Sequence, residues 1–529
     1  MQYCSVMYLA IFLPLVLLIY CLSSKKIRPY VLLIASYIFF YSLSGKLIVY
    51  LLGTTLSIHH FGLWLDKNNG LMQNELSSCD KDEKKKIKDF YKRKNFKIVC
   101  LATLIHIGLL ILLKYSGFLS FNINNLLEHF NIKHRLIIPK YLMPIGISFW
   151  TLQALSYIYD IYQGKIKADE NILRLALFLS FFPGLMEGPI ARYNDTANAL
   201  MEGVKPTYHD LTFGYQRILY GVMKKMVIAD RLNPMVITIF NNYTSFDGGM
   251  ILLGAILYTI QLYCDFSGTI DIVIGSSECF GIKIPENFRQ PFFAKNISDF
   301  WTRWHITLGT WFRDYIFYPL SLSRPLKKLT IFGRKHLGNH FGPLLAGSIA
   351  LFAVWLCNGV WHGDAWNYIF FGMYHFVLIV IGNICTPYII SLCSKCHINR
   401  NSKIYKGIQI LKTTILVIFG ELFFRANGLK NGLMMFKKIF TNFKLDSLVN
   451  GKILKYNLDI YDYIVVLVFI IVILIISILK EKNVDVRKVV ARQNIVLRWL
   501  LYYLLILSIV IFGAYGYGYA PVDPLYANF

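Results

Sequence analysis

Long uncharged apolar runs recur along the whole sequence and set its strongest structural constraint. The longer runs approach the roughly 20 residues that a helix needs to cross about 30 Å of hydrocarbon. Since 56% of the 529 residues are hydrophobic and 16% are charged, a water-soluble core could not bury this much apolar surface. The sequence therefore predicts an all-α integral membrane protein with about ten to twelve transmembrane or re-entrant helices. The clearest runs are Val6–Leu22, Tyr30–Phe40, Leu47–Leu65, Ile98–Leu113, Leu344–Trp361, Trp366–Ile384, Tyr463–Leu479 and Leu497–Phe512.

The formal net charge of +25 lies in short connectors between the apolar runs and forms no single basic patch. This distribution argues against nucleic acid as a partner and favours membrane lipids. Three connectors are especially basic: Lys25–Arg28, Lys81–Lys97 and Lys480–Arg498. The positive-inside rule predicts that all three face the cytoplasm, which places Met1 outside.

The sequence indicates one domain, residues 1–529, because no linker, low-complexity tract or repeat separates the apolar runs. The first run is expected to be a retained span, since it has no basic n-region and no clear cleavage site before Lys25. The longest polar insert, Asp66–Lys97, is predicted to be a cytoplasmic loop or a short surface helix. The ten cysteines are scattered, so no disulfide framework is predicted.

The segment Gln261–Leu320 is too polar for a simple lipid-facing span. Polar groups at membrane depth are costly unless they face a cavity or a partner, so this segment is predicted to line the interior and to carry the chemistry. Its polar side chains include Asp265, Asp271, Glu278, Asn287, Arg289, Lys295, Asp299, Arg303, His305, Arg313 and Asp314.

Within this segment, Ser298–Leu320 is predicted to form one amphipathic helix that either spans or re-enters the membrane. Ser298 is the expected N-cap, and Pro319 marks the expected end. Helical spacing creates one largely apolar face. That face consists of Trp301, His305, Leu308 and Phe312.

Three histidines in or beside apolar stretches are candidates for proton transfer, because an imidazole takes and returns a proton near neutrality. His362 lies in Asn358-Gly-Val-Trp-His-Gly-Asp364, where a glycine on each side of the Trp-His pair permits a break that presents the ring to a cavity. His305 and His375 are weaker candidates. From spacing alone, each is more often a structural histidine than a catalytic one.

Other chemical motifs are missing from the sequence or weak. It contains no Walker phosphate loop, no His-Glu-x-x-His zinc motif and no Gly-x-Ser-x-Gly nucleophile elbow. Cys393-Ser-Lys-Cys396-His397 formally matches the pattern for haem attachment. Because no other haem feature accompanies it, we interpret it as a polar connector and predict no metal.

An ordered series of short motifs runs through most of the chain. It consists of Leu113-Lys-Tyr-Ser-Gly-Phe118, Pro144-Ile-Gly-Ile-Ser-Phe149, Phe181-Phe-Pro183, Gly188-Pro-Ile190, Asp265-Phe-Ser-Gly268, Asn287-Phe288, Asp299-Phe-Trp-Thr-Arg-Trp-His305, Trp311-Phe-Arg-Asp-Tyr315, Gly359-Val-Trp-His-Gly363 and Phe423-Phe-Arg-Ala426. This series resembles the membrane-bound O-acyltransferase (MBOAT) family, in particular the bacterial branch with alginate and peptidoglycan O-acetyltransferases and the teichoic-acid D-alanyl transferase.

The resemblance implies a ring of helices around a central tunnel, where a cytoplasmic acyl thioester meets an acceptor from the other face. It implies that His362 is the principal catalytic histidine and that His305 is the second functional one. No permanently bound cofactor is implied, and the donor is a co-substrate such as acetyl-CoA. A separate extracytoplasmic acyltransferase is implied as a protein partner. Tunnel-lining or supporting positions are assigned to Asp265, Ser267, Asn287, Arg303, Trp304 and Trp361.

The predicted function is therefore O-acylation, with acetyl as the first choice, of a cell-envelope or exported polysaccharide at the bacterial plasma membrane. The closest alternative is D-alanyl transfer to teichoic acid from a carrier protein. A transporter or flippase, or a structural subunit of an envelope complex, would have no chemistry and would tolerate loss of His362. Asp364, Thr269 and Ser321–Ser323 depart from the commoner family pattern, which leaves the subfamily and the acceptor open.

Overall fold

The computed structural model describes residues 1–80, 83–456 and 458–515, and the regular structure in these ranges is helical apart from one isolated bridge between Phe288 and Trp304. The described helices form two compact units. The first includes residues 1–215 and 273–285, and the second includes residues 216–272 and the described residues from 286 onward. The expectation of one domain over residues 1–529 stays a prediction.

The first unit is held together by buried aromatic rings. Phe39 stacks on Tyr3 with ring centroids 5.4 Å apart, and Phe182 meets Phe280 edge to face at 5.8 Å. The Tyr3 hydroxyl also donates to the carbonyl oxygen of Phe182 at 2.8 Å. The α-helices that lie within this unit are α1 (Leu13–Leu22), α2 (Arg28–Ser44), α3 (Ile48–Ser78), α4 (Lys84–Leu110), α5 (Ser116–His129), α6 (Ile147–Tyr162), α7 (Ile172–Ser180) and α8 (Tyr193–Glu202).

Helix α6 is almost entirely buried and is preceded by a glycine that no other residue can replace without strain. Gly146 has a left-handed φ of +74°, and a Cβ there would lie 2.2 Å from the carbonyl oxygen of Leu185. The Pro144–Phe149 motif of the sequence thus has a backbone requirement at its centre.

The second unit contains the candidate site. Two helices, α9 (Tyr208–Val222) and α11 (Gly248–Glu278), have residues in both units. The other α-helices of the second unit are α10 (Asp230–Asn241), α12 (Ile297–Trp301), α13 (Ile306–Phe312), α14 (Tyr318–Ser321), α15 (Arg324–His362), α16 (Trp366–Lys395), α17 (Lys403–Arg425), α18 (Leu429–Thr441), α19 (Asp446–Val449), α20 (Ile460–Glu481), α21 (Val486–Ala491) and α22 (Ile495–Phe512). Helix α15 bends sharply at Gly338, where φ is +77°.

Among the described residues, eight helical segments are long and apolar enough to cross a membrane, and two shorter apolar helices, Met7–Leu22 and Ile172–Gly184, accompany them. The prediction of an all-α membrane protein is confirmed. The count of ten to twelve spans and the ring around a tunnel stay predictions. The eight segments are Arg28–Ser78, Lys84–His129, Gly248–Glu278, Arg324–His362, Trp366–Lys395, Lys403–Arg425, Ile460–Glu481 and Ile495–Phe512.

The polar insert Asp66–Lys97 is neither a loop nor a separate surface helix. Helix α3 continues through its polar residues to Ser78, and α4 begins at Lys84. The side-chain amide of Asn68 on α3 donates to Asn95 on α4 at 2.9 Å, and both residues are buried. The insert therefore extends two spanning helices as a hydrogen-bonded pair.

The prediction of one amphipathic helix over Ser298–Leu320 is wrong. Helix α12 ends at Trp301, the chain turns through a left-handed His305, and α13 begins only at Ile306. The expected end near Pro319 agrees with the structure, because α13 continues through a π-helical stretch, Arg313–Phe317, into α14, which ends at Ser321.

The N-cap of α12 also differs from the expectation. Asn296 is the cap, and its side-chain oxygen accepts a hydrogen bond from the backbone N–H of Asp299 at 2.8 Å. Ser298 lies inside the helix. Asparagine and serine are both good caps, so the sequence alone did not distinguish them.

Candidate active site

His305 is held in an uncommon backbone conformation at the start of α13. Its φ of +45° and ψ of +52° are left-handed, which is rare for residues other than glycine and costs free energy. The neighbouring chain fixes this turn: Arg289 N–H donates to the carbonyl of Arg303 at 2.9 Å, and Ile306 N–H donates to the carbonyl of Asn287 at 3.0 Å. The segment around Asn287 therefore holds His305 out of the helix.

The side chain of Asn287 also fixes the hydrogen position on His305. Asn287 is fully buried, and its Oδ1 accepts from the backbone N–H of Thr307 at 3.0 Å. Because a backbone N–H can only donate, the Asn287 atom is an oxygen, and His305 Nδ1, 3.3 Å from the same atom, must carry the hydrogen. The neutral ring then presents Nε2 as a hydrogen-bond acceptor.

Aromatic rings enclose His305. The ring of Phe266 meets it edge on at 4.9 Å, and the indole of Trp361 does so at 5.6 Å. Only 2% of the residue is exposed, and burial lowers the pKa of His305 to about 3, because the charged imidazolium loses its hydration there. At neutral pH the ring is therefore uncharged.

His362 is the last residue of α15 and is 4% exposed. The helix runs unbroken through Gly359, whose role is close packing: a Cβ there would lie 2.7 Å from the carbonyl oxygen of Tyr368 on α16. At Gly363, where the helix ends, a Cβ would lie 2.3 Å from the ring of Tyr368. The expected break thus occurs only after His362, and the two glycines allow α16 to approach the ring.

The two predicted histidines share one aromatic neighbour. The ring of Trp361 lies 5.1 Å from His362 and 5.6 Å from His305 between centroids. Phe424 and Phe371 meet the His362 ring edge on at 5.2 and 5.9 Å. The structure therefore brings His305, Trp361 and His362 together, and their roles in the reaction stay predictions.

Asp265 and Ser267 lie on α11 on either side of Phe266, which contacts His305, but their own partners are lysines. Lys225 Nζ is 2.5 Å from the Asp265 carboxylate, and Lys224 Nζ donates to Ser267 Oγ at 2.9 Å. These predicted site residues belong to a buried network of ion pairs. Their link to the histidine site is Phe266, which lies between them in sequence and contacts His305.

That network borders a pocket, which we call the basic pocket. Its charged lining residues are Arg217, Lys224, Asp271, Glu286 and Lys480, and its aromatic lining includes Tyr220, Tyr263 and Phe288. Asp271 pairs with Lys224 at 2.5 Å and with Arg217 at 2.9 Å, and Arg217 also pairs with Glu286 at 2.5 Å. Lys480 makes no hydrogen bond or ion pair with a described residue, although its ammonium lies 5.8 Å from the Tyr220 ring centroid.

Arg303 and Trp304 support the turn that carries His305. Arg303 pairs with Asp299 one turn earlier at 2.8 Å and with Glu481 at the end of α20 at 2.5 Å. Trp304 stacks on Phe300 with centroids 5.5 Å apart and meets Phe288 edge on at 5.0 Å. Arg303 therefore supports the site through ion pairs, and Trp304 supports it through aromatic packing.

Several buried polar residues in this unit were missed or ranked low from the sequence. Lys224 and Lys225 interrupt an apolar stretch, which is the signal that would have revealed them. His375 was ranked last, yet its ring lies 4.7 Å from Phe371, a neighbour of His362 as well. Glu421 is 3% exposed and lies two residues before the Phe423–Ala426 motif.

Chemically, the site combines two enclosed imidazoles with aromatic walls, which suits proton transfer in a space from which bulk water is excluded. Within the described ranges, no group of three or more His, Cys, Asp or Glu residues is arranged to hold a metal ion. The side chains present thus supply acid–base groups and ion pairs.

Comparison with known proteins identifies the family. The model of the MBOAT, membrane-bound O-acyltransferase family, matches residues 146–333. A probable alginate O-acetylase of Pseudomonas putida is 30% identical over 443 residues, which cover 83% of this chain and 80% of that protein.

Two further relatives carry different names. A peptidoglycan O-acetyltransferase of Helicobacter pylori is 30% identical over 364 residues, covering 64% of this chain and 63% of that protein. A teichoic acid D-alanyltransferase of Bacillus subtilis is 36% identical over 245 residues, covering 45% and 58%. The chain therefore belongs to the membrane-bound O-acyltransferase family and is an O-acyltransferase that crosses the bacterial plasma membrane several times.

Proposed function

We propose that this enzyme moves an acetyl group from a cytoplasmic thioester to a hydroxyl of an extracytoplasmic polysaccharide, with His362 as general base. The observation that carries the proposal is the pair of buried histidines that share the Trp361 ring. The relatives named as alginate O-acetylase and peptidoglycan O-acetyltransferase support both the acetyl group and a polysaccharide acceptor.

In the proposed reaction, His362 takes the proton of the acceptor hydroxyl as its oxygen attacks the thioester carbonyl. The C–S bond then breaks, the ester forms, and the imidazolium returns its proton to the leaving thiolate. The ring ends neutral, as it began. A positioned base of this kind contributes about 10² to 10⁴ in rate.

We assign His305 a supporting role in this reaction. The depressed pKa of His305, about 3 because of burial, makes it a poor proton carrier near neutrality. Its Nε2, however, accepts a hydrogen bond when Nδ1–H faces Asn287. We therefore expect His305 to orient a substrate N–H or O–H beside His362.

The basic pocket supports a thioester donor that carries a phosphate, such as acetyl-CoA or a phosphopantetheine carrier. Three cations face two carboxylates there, and Lys480 interacts electrostatically with Asp271 and Glu286 without a direct ion pair. Lys480 also begins the third basic connector, which the positive-inside rule assigns to the cytoplasm. The pocket wall at Phe288 meets Phe266 at 5.0 Å, and Phe266 contacts His305.

D-alanyl transfer from a carrier protein is the second candidate, because the 36% identity to the Bacillus subtilis relative is higher, although it spans a shorter part of the chain. For either acyl group, we propose that a separate extracytoplasmic acyltransferase completes delivery to the polymer.

The test is acyl transfer by the purified enzyme in lipid nanodiscs. Radiolabelled acetyl-CoA and a D-alanyl carrier protein are offered in parallel, with alginate oligosaccharides or lipoteichoic acid as acceptor. We expect label to pass from acetyl-CoA to the oligosaccharide, and His362→Ala to abolish this while the thermal melt is unchanged. Transfer from the carrier protein alone would favour the second candidate. Transfer that survives His362→Ala would overturn the assignment of the base.

A further inference from the structure

Three polar side chains beside the histidine site have hydrogen-bonding capacity that no described residue fills. They are the Glu421 carboxylate and the Arg425 guanidinium on α17 and the Tyr258 hydroxyl on α11, and we call them the Glu421 cluster. Glu421 is 3% exposed and Tyr258 is 5% exposed. Within the described part of the chain, none of the three makes a hydrogen bond or an ion pair, although Tyr258 interacts electrostatically with both Glu421 and Arg425.

The Glu421 cluster borders His362. Phe424 lies between Glu421 and Arg425 in sequence, and its ring meets His362 at 5.2 Å and Tyr368 at 5.1 Å. Tyr368 in turn interacts electrostatically with Arg425. The cluster and the imidazole therefore share the same aromatic wall.

A purely structural role explains the Glu421 cluster poorly. A buried carboxyl group in a membrane-spanning helix is costly unless its hydrogen bonds are filled or it faces a cavity. Glu421 and Arg425 are four residues apart, the spacing at which opposite charges pair on a helix, yet they form no salt bridge, and the guanidinium lies over the Phe240 ring at 5.6 Å instead. By contrast, Asp265 and Asp271 in the same unit are closely paired with lysines.

We propose that the Glu421 cluster is the binding subsite for the acceptor, a sugar with free hydroxyls. Neighbouring hydroxyls would form hydrogen bonds with the Glu421 carboxyl group, while Arg425 and Tyr258 would donate to oxygens of the same sugar. This inference rests on the proposed function. Tyr258 and Asp271 are 13 residues apart on α11, about 20 Å at 1.5 Å per residue, so acceptor and donor sites lie toward opposite ends of one helix.

The experiment separates acceptor binding from donor chemistry in nanodiscs. Glu421→Gln keeps the size of the side chain and replaces its carboxyl group with an amide, and Tyr258→Phe removes one hydroxyl. The matched control is Thr413→Val, an equally buried position on α17 that belongs to neither site. Two rates are measured for each variant: acetyl transfer to alginate oligosaccharides over a range of concentrations, and hydrolysis of acetyl-CoA without acceptor.

We expect Glu421→Gln to raise the acceptor KM by roughly tenfold, as loss of a hydrogen bond to a buried group does, and to leave acetyl-CoA hydrolysis unchanged. Tyr258→Phe should raise the acceptor KM less, and Thr413→Val should leave both rates at their wild-type values. An unchanged acceptor KM in both cluster variants would overturn the proposal. A lowered kcat with an unchanged acceptor KM would also overturn the proposal, because Glu421 would then position His362 or bind a hydroxyl of the partner protein. If wild type neither transfers nor hydrolyses acetyl-CoA, the proposed function itself fails.

Discussion

The basic pocket and the histidine site differ in how the protein treats charge, although both belong to the same unit. In the basic pocket, charges pair at 2.5 to 2.9 Å, and Lys480 interacts electrostatically with the same carboxylates without a direct ion pair. Around His305 and His362, the close neighbours are aromatic rings at 4.9 to 5.9 Å. The first arrangement suits an anionic ligand, whereas the second excludes water from the imidazoles and, at His305, keeps the ring uncharged at neutral pH.

Helix α11 connects the two regions through successive residues. Asp265 and Ser267 point to the lysine network, while Phe266 between them contacts His305. A change in the ion pairs should therefore affect stability first, and a change in the aromatic wall should affect catalysis first. Four variants test this division.

The largest loss of stability is expected for Asp271→Asn in the basic pocket. This change leaves Lys224 and Arg217 without their shared counter-charge, and breaking a buried pair from one side costs about 3 to 5 kcal/mol. Thermal or denaturant unfolding in detergent measures the loss. The control, Asp314→Asn, removes an exposed pair with Arg313 and should cost under about 1 kcal/mol. Equal losses of unfolding free energy in the two variants would show that the buried network contributes no more to stability than an exposed ion pair does.

The next effect is expected at the contact between α15 and α16. A Cβ in Gly359→Ala would lie 2.7 Å from the backbone oxygen of Tyr368, so the helices must move apart, at a cost of about 1 to 3 kcal/mol. Because His362 ends α15, kcat should fall more than stability alone explains. Gly347→Ala on the same helix has open space around the new Cβ and should keep full activity. Normal kcat in Gly359→Ala would contradict the positioning role of this contact.

His305 should make the free energy of unfolding depend on pH, with an effect of similar size. Its folded pKa of about 3 lies below the ordinary 6.5, so between these values the unfolded chain binds more protons and acid favours unfolding. From pH 8 to pH 5 this residue should remove about 2 kcal/mol of unfolding free energy. His305→Asn, which tolerates a left-handed backbone, should flatten the decline. Parallel pH curves for the two proteins would contradict the burial of a neutral ring.

The smallest effect, and the most specific, is expected for Lys480→Gln. Losing this cation, which has no direct ion pair, should raise the KM for acetyl-CoA about tenfold, a free-energy change of about 1.4 kcal/mol, and leave kcat and the melt unchanged. Lys482→Gln, two residues along and outside the pocket lining, provides the control. If both variants behave alike, the basic pocket is not the donor site.

Much of the fold followed from the sequence, because apolar runs of membrane length have few alternatives to helices. The departures occur where distant segments interact. The helix is interrupted at His305 because Asn287, 18 residues earlier, forms hydrogen bonds with the turn. The hydrophobic periodicity within Ser298–Leu320 contains no information about a partner outside that segment. Asn68 and Asn95 likewise pair two helices whose polar ends resemble a loop in sequence.

The sequence indicated several residues of the candidate site but few of the contacts between them. The motifs indicated His305, Trp361 and His362, which the fold brings together. They also indicated Asp265 and Ser267 but not Lys224 and Lys225, because ion pairs between helices leave no spacing pattern. Glu421 was passed over as part of an apolar helix, although a lone carboxylate in such a helix is itself a signal.

The most direct test compares two equally buried histidines that share Phe371 as a neighbour. Single-turnover acetyl transfer is measured for His362→Gln and His375→Gln in nanodiscs, with thermal melts to match folding. The account predicts that His362→Gln is slowed by about 10² to 10⁴, whereas His375→Gln keeps the wild-type rate. Equal slowing in both variants would contradict the central claim, because it would show that the aromatic cluster needs its histidines for packing and that His362 is not the base.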